Sequence, residues 1–314
     1  MAKLKQKNIG NGPISKKIIS ALRKAKNKKV IDISELREAK IHADDLEKSV
    51  ITENEMVELD PLHSVYAYAQ NKLSVIVEQI ADLKAISKLT NAMEHADDLY
   101  MPSGPPMSPL TKSYFTCWGF FDLCAGMKKE TFGTVAIDVC KVMKVDQSLI
   151  ALFECMQNSR MGFYVHEGFS ERFVLLREFI TGNKIKAIVP SGYSGESGQI
   201  WFARVMQEPF PGLNFGYSIV FTTPYIISEI QNEQFVMSSE ENWISFFKRT
   251  LKKIKIQDAK RAYAHLMKFG INRHYWNEYV FEAYVNHRDD MILLAGFPDI
   301  TSSRPHSEES STRF

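Results

Sequence analysis

RMGFYVHEGFSERFVLLREFITGNKIKAIV is the stretch at residues 160–189, and its hydrophobic pattern decides the fold. Apolar and polar side chains alternate along much of it, which is typical of β-strands with one buried face. The pattern predicts strands at residues 161–166, 172–180 and 184–189. Thr181-Gly-Asn183 separates the last two strands and favours a tight hairpin.

Two further strand-like segments follow, at residues 199–206 and 217–223. Five consecutive strands with short turns predict an antiparallel meander or a small β-barrel. Residues 112–158 and 240–256 carry apolar side chains at helical spacing, so helices flank these strands, and Asp146 is predicted to be the N-cap of one of them. Ile14, Ile18, Ile19 and Leu22 also have helical spacing, which predicts a short helix within the basic N-terminal segment. The predicted fold class is therefore α+β, in which a helical N-terminal part with one long helix leads into about five strands flanked by helices.

The long helix is predicted at residues 62–100, which contain neither proline nor glycine. One face of this helix carries Leu73, Ile76, Ile80 and Leu83. A continuous helix of this length measures about 55 Å, which exceeds the width of a small domain. We therefore expect it either to cross the whole body of the protein or to mediate self-association or contact with a protein partner.

Composition divides the chain into five parts. A charged N-terminal arm and acidic segment occupy residues 1–60, and the long helix occupies residues 61–100. Residues 101–111 contain four prolines and one glycine, which predicts a stiff, extended crossing. An α+β body is expected at residues 112–300, and a disordered polar tail at residues 301–314.

The overall composition is that of an ordinary globular protein, with 45% hydrophobic and 24% charged residues. It excludes collagen-like, wholly disordered and disulfide-scaffold proteins. The four cysteines form no CxxC pair and the histidines form no short-spaced cluster, so neither a metal nor another cofactor is predicted. Free thiols favour a reducing compartment, and we expect the protein to be cytoplasmic. No apolar run reaches the length of a transmembrane helix.

Charge is distributed unevenly although the net charge is only +2. Residues 1–29 contain ten Lys or Arg and no acid, whereas residues 32–60 contain ten acids and three Lys or Arg. A second basic group lies along the helix predicted after the strands and comprises Lys248, Arg249, Lys252, Lys253 and Lys255. Such a helix face suits phosphate backbones or anionic lipid head groups, so nucleic acid is the leading predicted partner. The alternative is a solvated outer face, with the basic arm folded back on the acidic segment.

Three polar residues near the first predicted strand are weak candidates for catalysis. Arg160, His166 and Glu167 combine a guanidinium, an imidazole and a carboxylate, which suits acid–base chemistry. The alternative is that they form a polar outer face of the sheet. The glycine-rich loop at residues 192–198 is interpreted as a hairpin loop, because a strand follows it and the GK[ST] sequence of a phosphate-binding loop is missing.

Asp122 lies within an aromatic cluster at residues 118–123. A carboxylate buried there needs a partner, since an unpaired buried charge is costly. The predicted partners are Lys128, Lys129, Arg160 or a backbone amide, and a structural salt bridge is favoured over catalysis.

These observations support three functional hypotheses. The first is a non-enzymatic binding or assembly protein that associates with nucleic acid through its basic segments. The second is an enzyme of unknown reaction with a polar site on the sheet, around Arg160, His166 and Glu167. The third is an oligomeric scaffold held together by the long helix.

Overall fold

The computed structural model describes residues 12–26, 52–81, 83–100, 109–231, 234–237 and 239–270, together with the single positions Ile41, Asp45, Lys48 and Val50. Most of the crossing expected at residues 101–111 lies outside these residues. The tail expected at residues 301–314 and residues 271–300 of the expected body lie outside them as well. So do residues 1–11, 27–40 and most of residues 42–51 of the charged N-terminal segment.

Seven α-helices precede the strands in the described chain. They are α1 (Pro13–Lys26), α2 (Glu53–Val57), α3 (Pro61–Ala81), α4 (Ser87–Tyr100), α5 (Pro109–Phe121), α6 (Phe132–Met143) and α7 (Gln147–Asn158). The core helices expected between residues 112 and 158 are confirmed. The predicted N-cap is confirmed too, since the Asp146 carboxylate accepts hydrogen bonds from the amides of Ser148 and Leu149.

Eight strands and two more helices follow α7 among the described residues. The strands are β1 (Met161–Ser170), β2 (Phe173–Glu178), β3 (Lys184–Ile188), β4 (Ile200–Met206), β5 (Ser218–Val220), β6 (Tyr225–Ile226), β7 (Ser228–Gln231) and β8 (Gln234–Met237). The helices are α8 (Glu240–Lys252) and α9 (Ala259–Phe269). The α+β class and the small barrel predicted from the sequence are confirmed.

Five strands close into a barrel in the order β1-β2-β3-β5-β4, and β4 returns to pair with β1. β6 adds to β4, and β7 and β8 form a separate antiparallel ribbon. The prediction of a purely antiparallel meander is wrong at one position, because β3 and β5 are parallel. The chain runs from β3 into β4 and then turns back into β5, which is antiparallel to β4. β5 therefore lies beside β3 and runs in the same direction.

Alternating residues on the barrel strands face opposite sides. One set fills the barrel interior and includes Tyr164, Val174, Leu176, Ala187, Trp201, Ala203 and Val220. The outer set packs into two helical cores. Phe163 and Phe202 join the core formed with α8 and α9, whereas Ile188 and Ile219 join the core formed with α3, α6 and α7.

The single long helix predicted at residues 62–100 is two helices in the structure. α3 ends at Ala81, α4 begins at Ser87, and residues 83–86 form turns. Ile86 is fully buried at this break, which anchors the change of direction in the core. Leu73 and Ile80 are also buried within this chain, so its own core occupies the face on which the prediction of self-association rested.

α1 is the part of the basic arm that folds against the body. Its buried residues are Ile14, Ile18 and Ile19, as the helical spacing predicted, and it packs against α6. The buried Glu130 carboxylate accepts hydrogen bonds from the amides of Ile14 (3.1 Å) and Ser15 (2.9 Å). A carboxylate at a helix N-terminus satisfies free amides and complements the helix dipole. α1 is therefore an integral part of the fold.

Candidate functional site

A cleft of about 920 Å³, which we call the barrel mouth, lies at one end of the barrel. β1, β3 and β5 begin here, and β2 and β4 end here. The lining residues are Tyr66, Cys155, Asn158, Ser159, Arg160, Tyr164, Glu178, Asn183, Lys184, Ile185, Lys186, Val205, Met206, Gln207, Glu208, Gly216, Tyr217 and Ser218. Its size and position match those of ligand sites in other small barrels, which also lie at the mouth.

A salt bridge forms part of the lining of the barrel mouth. Arg160 Nη1 donates to Glu178 Oε1 over 2.6 Å and also to the carbonyl of Met161. Glu178 is buried, and its second oxygen accepts a hydrogen bond from the Thr181 hydroxyl over 2.6 Å. Burial opposes the charge on Arg160, but the nearby Glu178 carboxylate outweighs it and raises the pKa of Arg160. Arg160 therefore stays charged, and the hydrogen bonds hold the pair in a fixed geometry.

One thiol and two phenols in the cleft are held in their neutral forms. Burial raises the pKa of the Cys155 thiol and of the Tyr66 and Tyr164 phenols. A thiol with a raised pKa is a poor nucleophile, because the thiolate is the reactive species. These three side chains are therefore not activated as nucleophiles.

His166 lies at the opposite end of the barrel from Arg160. The two residues are six positions apart along β1, which corresponds to about 20 Å. The ring of His166 is fully buried between Phe169 and Trp201. Its Nδ1 accepts from the amide of Gly168, and its Nε2 donates to the carbonyl of Ser194, both over 3.1 Å. This pattern requires the neutral imidazole.

Glu167 lies on the outer surface near this end of β1. It forms a salt bridge with Arg177 Nε over 2.7 Å and a longer one with Lys184. Arg160, His166 and Glu167 are thus not brought together, and only Arg160 lines the cleft. A catalytic role for any one of them stays a prediction.

We expect the environment of His166 to make stability depend on pH. Burial lowers the pKa of His166, so the unfolded chain takes up a proton more readily than the folded chain as the pH falls below about 6.5. The stability that the neutral, buried His166 contributes is fully present above that pH and is lost as the pH falls below it. Between pH 7 and pH 5 the free energy of unfolding should fall less in His166→Gln than in the wild type. Chemical denaturation at the two pH values measures this, and His95→Gln, at an exposed histidine, is the control. Equal pH dependence in wild type and His166→Gln would contradict the assignment.

The loop at residues 192–198 holds the carbonyl that His166 contacts. Gly192, Gly195 and Gly198 all have positive φ angles of 65–92°, which only glycine adopts without strain. A Cβ on Gly195 would lie 2.6 Å from the Trp201 ring. A strand, β4, follows this loop as predicted, but the interpretation as a hairpin loop is wrong, because β3 and β4 are not neighbours in the sheet and β5 lies between them.

The predicted basic group on α8 is exposed in the structure. All five side chains, Lys248, Arg249, Lys252, Lys253 and Lys255, lie on the solvent side, whereas Trp243, Phe246 and Phe247 face the core. Exposure is expected both for a face that binds nucleic acid and for a solvated outer face of a core helix. Binding of nucleic acid therefore stays a prediction.

Asp122 is buried and forms a salt bridge, as predicted, but none of the cations predicted from the sequence is its partner. It accepts hydrogen bonds from Arg204 Nη2 and, over 2.8 Å, from Lys268 Nζ. Lys268 also donates to the carbonyls of Gln157 and Ser159 over 2.8 and 2.9 Å. Burial lowers the pKa of Lys268 to about 8, and the attraction of Asp122 only partly offsets this.

No local pattern of residues indicates either partner of Asp122. Arg204 stands in an apolar strand, and Lys268 is one of nine Lys or Arg between residues 248 and 273. Both are far from Asp122 along the chain, and only the closure of α9 against the barrel brings them together. Apart from Arg160, the residues of the barrel mouth were missed for the same reason, since they come from helices, strand ends and loops.

No group of three or more potential metal-ligating side chains occurs within the part of the chain that the structure covers. Likewise, none of the helices seen there combines the length and hydrophobicity that a bilayer crossing requires. The four cysteines are free thiols.

Comparison with protein-family models, with curated proteins and with solved structures yields no match to this chain.

Proposed function

We propose that this protein is a non-enzymatic binding protein that holds a small polar ligand in the barrel mouth. The observation that carries the proposal is the cleft of about 920 Å³, which the fixed Arg160–Glu178 pair helps to line. Ligand sites are concave and contain a few well-placed polar groups among apolar ones, and this cleft also contains Ile185, Val205 and Met206. The neutral state of Cys155 argues for binding without nucleophilic catalysis.

Filling the cleft should abolish ligand binding. Ser218 lines the mouth on β5, so Ser218→Phe places a ring where a ligand would lie. Ser170→Phe, at an exposed position at the other end of β1, is the matched control. Ligand-observed NMR against a library of amino acids, dicarboxylates, sugar phosphates and nucleotides should find binders for the wild type and Ser170→Phe. Binders retained by Ser218→Phe, or no binder of any ligand class, would contradict the proposal.

A second candidate is binding of nucleic acid through the basic groups. The observation that favours it is that the cations on α8 and those on α1 are both exposed, among them Lys16, Lys17, Lys248 and Lys252. Because α1 packs into the core, charge reversal is a cleaner test than its deletion. Lys248→Glu/Lys252→Glu or Lys16→Glu/Lys17→Glu should weaken binding to duplex DNA or RNA.

The salt dependence of that binding should also become shallower, by roughly one power of salt concentration per lost phosphate contact on duplex DNA. Fluorescence anisotropy at several salt concentrations measures this, and Lys112→Glu/Lys128→Glu controls for the change in net charge. No salt-sensitive binding by the wild type would eliminate this candidate. Self-association through residues 62–100 and a cytoplasmic location remain proposals that light scattering and cell fractionation can test.

A further inference from the structure

The barrel wall is incomplete at its mouth, between β3 and β5. β5 pairs with β3 only through Ala187 and Ile188, at the far end of β3. In the described residues no strand pairs with the first three residues of β3, Lys184–Lys186, on the edge away from β2. These three residues instead line the cleft, opposite residues 216–218.

The backbone of β3 presents hydrogen-bonding groups to this gap. The amide of Glu178 donates to the carbonyl of Asn183, and the register pairs Leu176 with Ile185. In an antiparallel pair the residues that bond to the partner strand alternate with residues that bond away from it. The N–H and C=O groups of Lys184 and Lys186 therefore point away from β2 and toward the cleft. Such an unpaired strand edge is a template for an added strand.

The side chains of these three residues define what an added strand must look like. Ile185 packs with the barrel interior, whereas Lys184 and Lys186 lie on the exposed outer face. Residues directly opposite each other on paired strands project to the same face, and opposite charges at such positions attract. The complementary sequence is acidic, apolar, acidic, with the apolar side chain entering the barrel mouth.

Charge in the cleft agrees with an acidic occupant. Glu178 is bound to Arg160, and Glu208 accepts hydrogen bonds from the amides of Phe215 and Gly216. Lys184 is exposed, and its Nζ lies 3.7 Å from Glu167 Oε2. The Nζ of Lys186 lies over the ring of Phe173. Two cations thus flank the open edge.

We infer that the barrel mouth binds an extended acidic peptide, which adds to the open edge of β3 with its acidic side chains beside Lys184 and Lys186. This inference rests on the proposed function, because it names the ligand class of the same cleft. Main-chain hydrogen bonds to β3 supply affinity, and the alternating side chains supply specificity. The gap is about three residues, or 10 Å, long, so a short segment fills it.

The test uses full-length protein and two pools of fluorescein-labelled pentapeptides with amidated C-termini. One pool has the sequence Xaa-Glu-Xaa-Glu-Xaa and the other Xaa-Lys-Xaa-Lys-Xaa, where Xaa is Val, Ile, Leu, Phe or Thr. Fluorescence polarisation should show the acidic pool binding about tenfold or more tightly than the basic pool. Lys184→Glu/Lys186→Glu should reverse this preference, whereas Lys112→Glu/Lys128→Glu, at exposed positions outside the cleft, should leave it unchanged.

N-methylation then separates strand pairing from simple charge attraction. In a bound strand, alternate peptide amides face β3 and the others face away from it. Methylating the amide nitrogens that face β3 should abolish binding, whereas methylating the others should be tolerated. Equal effects of the two sets, or no preference for the acidic pool, would overturn the inference. If small polar compounds bind the wild type but not Ser218→Phe, and no peptide binds, the peptide inference alone fails. If neither class binds, the proposed function fails with it.

Discussion

Asp122→Asn is expected to lower the free energy of unfolding by about 3–5 kcal/mol, since it leaves two buried cations without their carboxylate. Arg204 is fully buried, and only 11% of the Lys268 side chain is exposed. Removing one member of a buried ion pair costs far more than the pair contributes, because the remaining charge stays desolvated. Denaturant unfolding with an unchanged m-value measures the loss.

Two comparisons isolate the cause of that loss. Asp98→Asn makes the same chemical change at an exposed position on α4 and should cost less than about 0.5 kcal/mol. Lys268→Met should cost less than Asp122→Asn, because the Arg204–Asp122 pair remains. Adding Lys268→Met to Asp122→Asn should recover part of the stability, since one uncompensated charge disappears. Strict additivity of the two changes would refute the network.

Phe163→Ala is expected to lower the free energy of unfolding by about 3–5 kcal/mol. Phe163 is fully buried on the outer face of β1. The centroid of its ring lies 4.9 Å from that of Trp243 and 5.1 Å from those of Phe202 and Phe247. It therefore joins the barrel to α8. Its truncation removes aromatic contacts from both elements and leaves a cavity that a closed barrel cannot collapse to fill.

Phe169→Ala is the matched control for this change, because it removes the same side chain from the same strand. Phe169 is 49% exposed, and we expect its loss to cost about 1 kcal/mol or less. Thermal and denaturant unfolding of both variants give the comparison. Similar costs for the two variants would show that the packing of α8 against the barrel does not stabilise the fold.

Local patterns in the sequence determined the elements. The two-residue period placed β1 to β5 within a few residues of their observed limits, because successive side chains of a strand project to opposite faces, here the barrel interior and the outer helical cores. The apolar spacing likewise predicted the buried face of α1, and the side-chain chemistry of Asp146 predicted the start of α7. These signals are local, so they can be read from neighbouring residues alone.

The tertiary structure alone decided how these elements meet. Periodicity within residues 62–100 is the same for one helix or two, and only burial of Ile86 in the core fixes the break. The parallel pairing of β3 with β5 depends on barrel closure, which no turn signal encodes. The partners of Asp122 and the cleft at the barrel mouth depend on contacts between residues that are distant in the chain, where charge and geometry rather than local pattern select the neighbour.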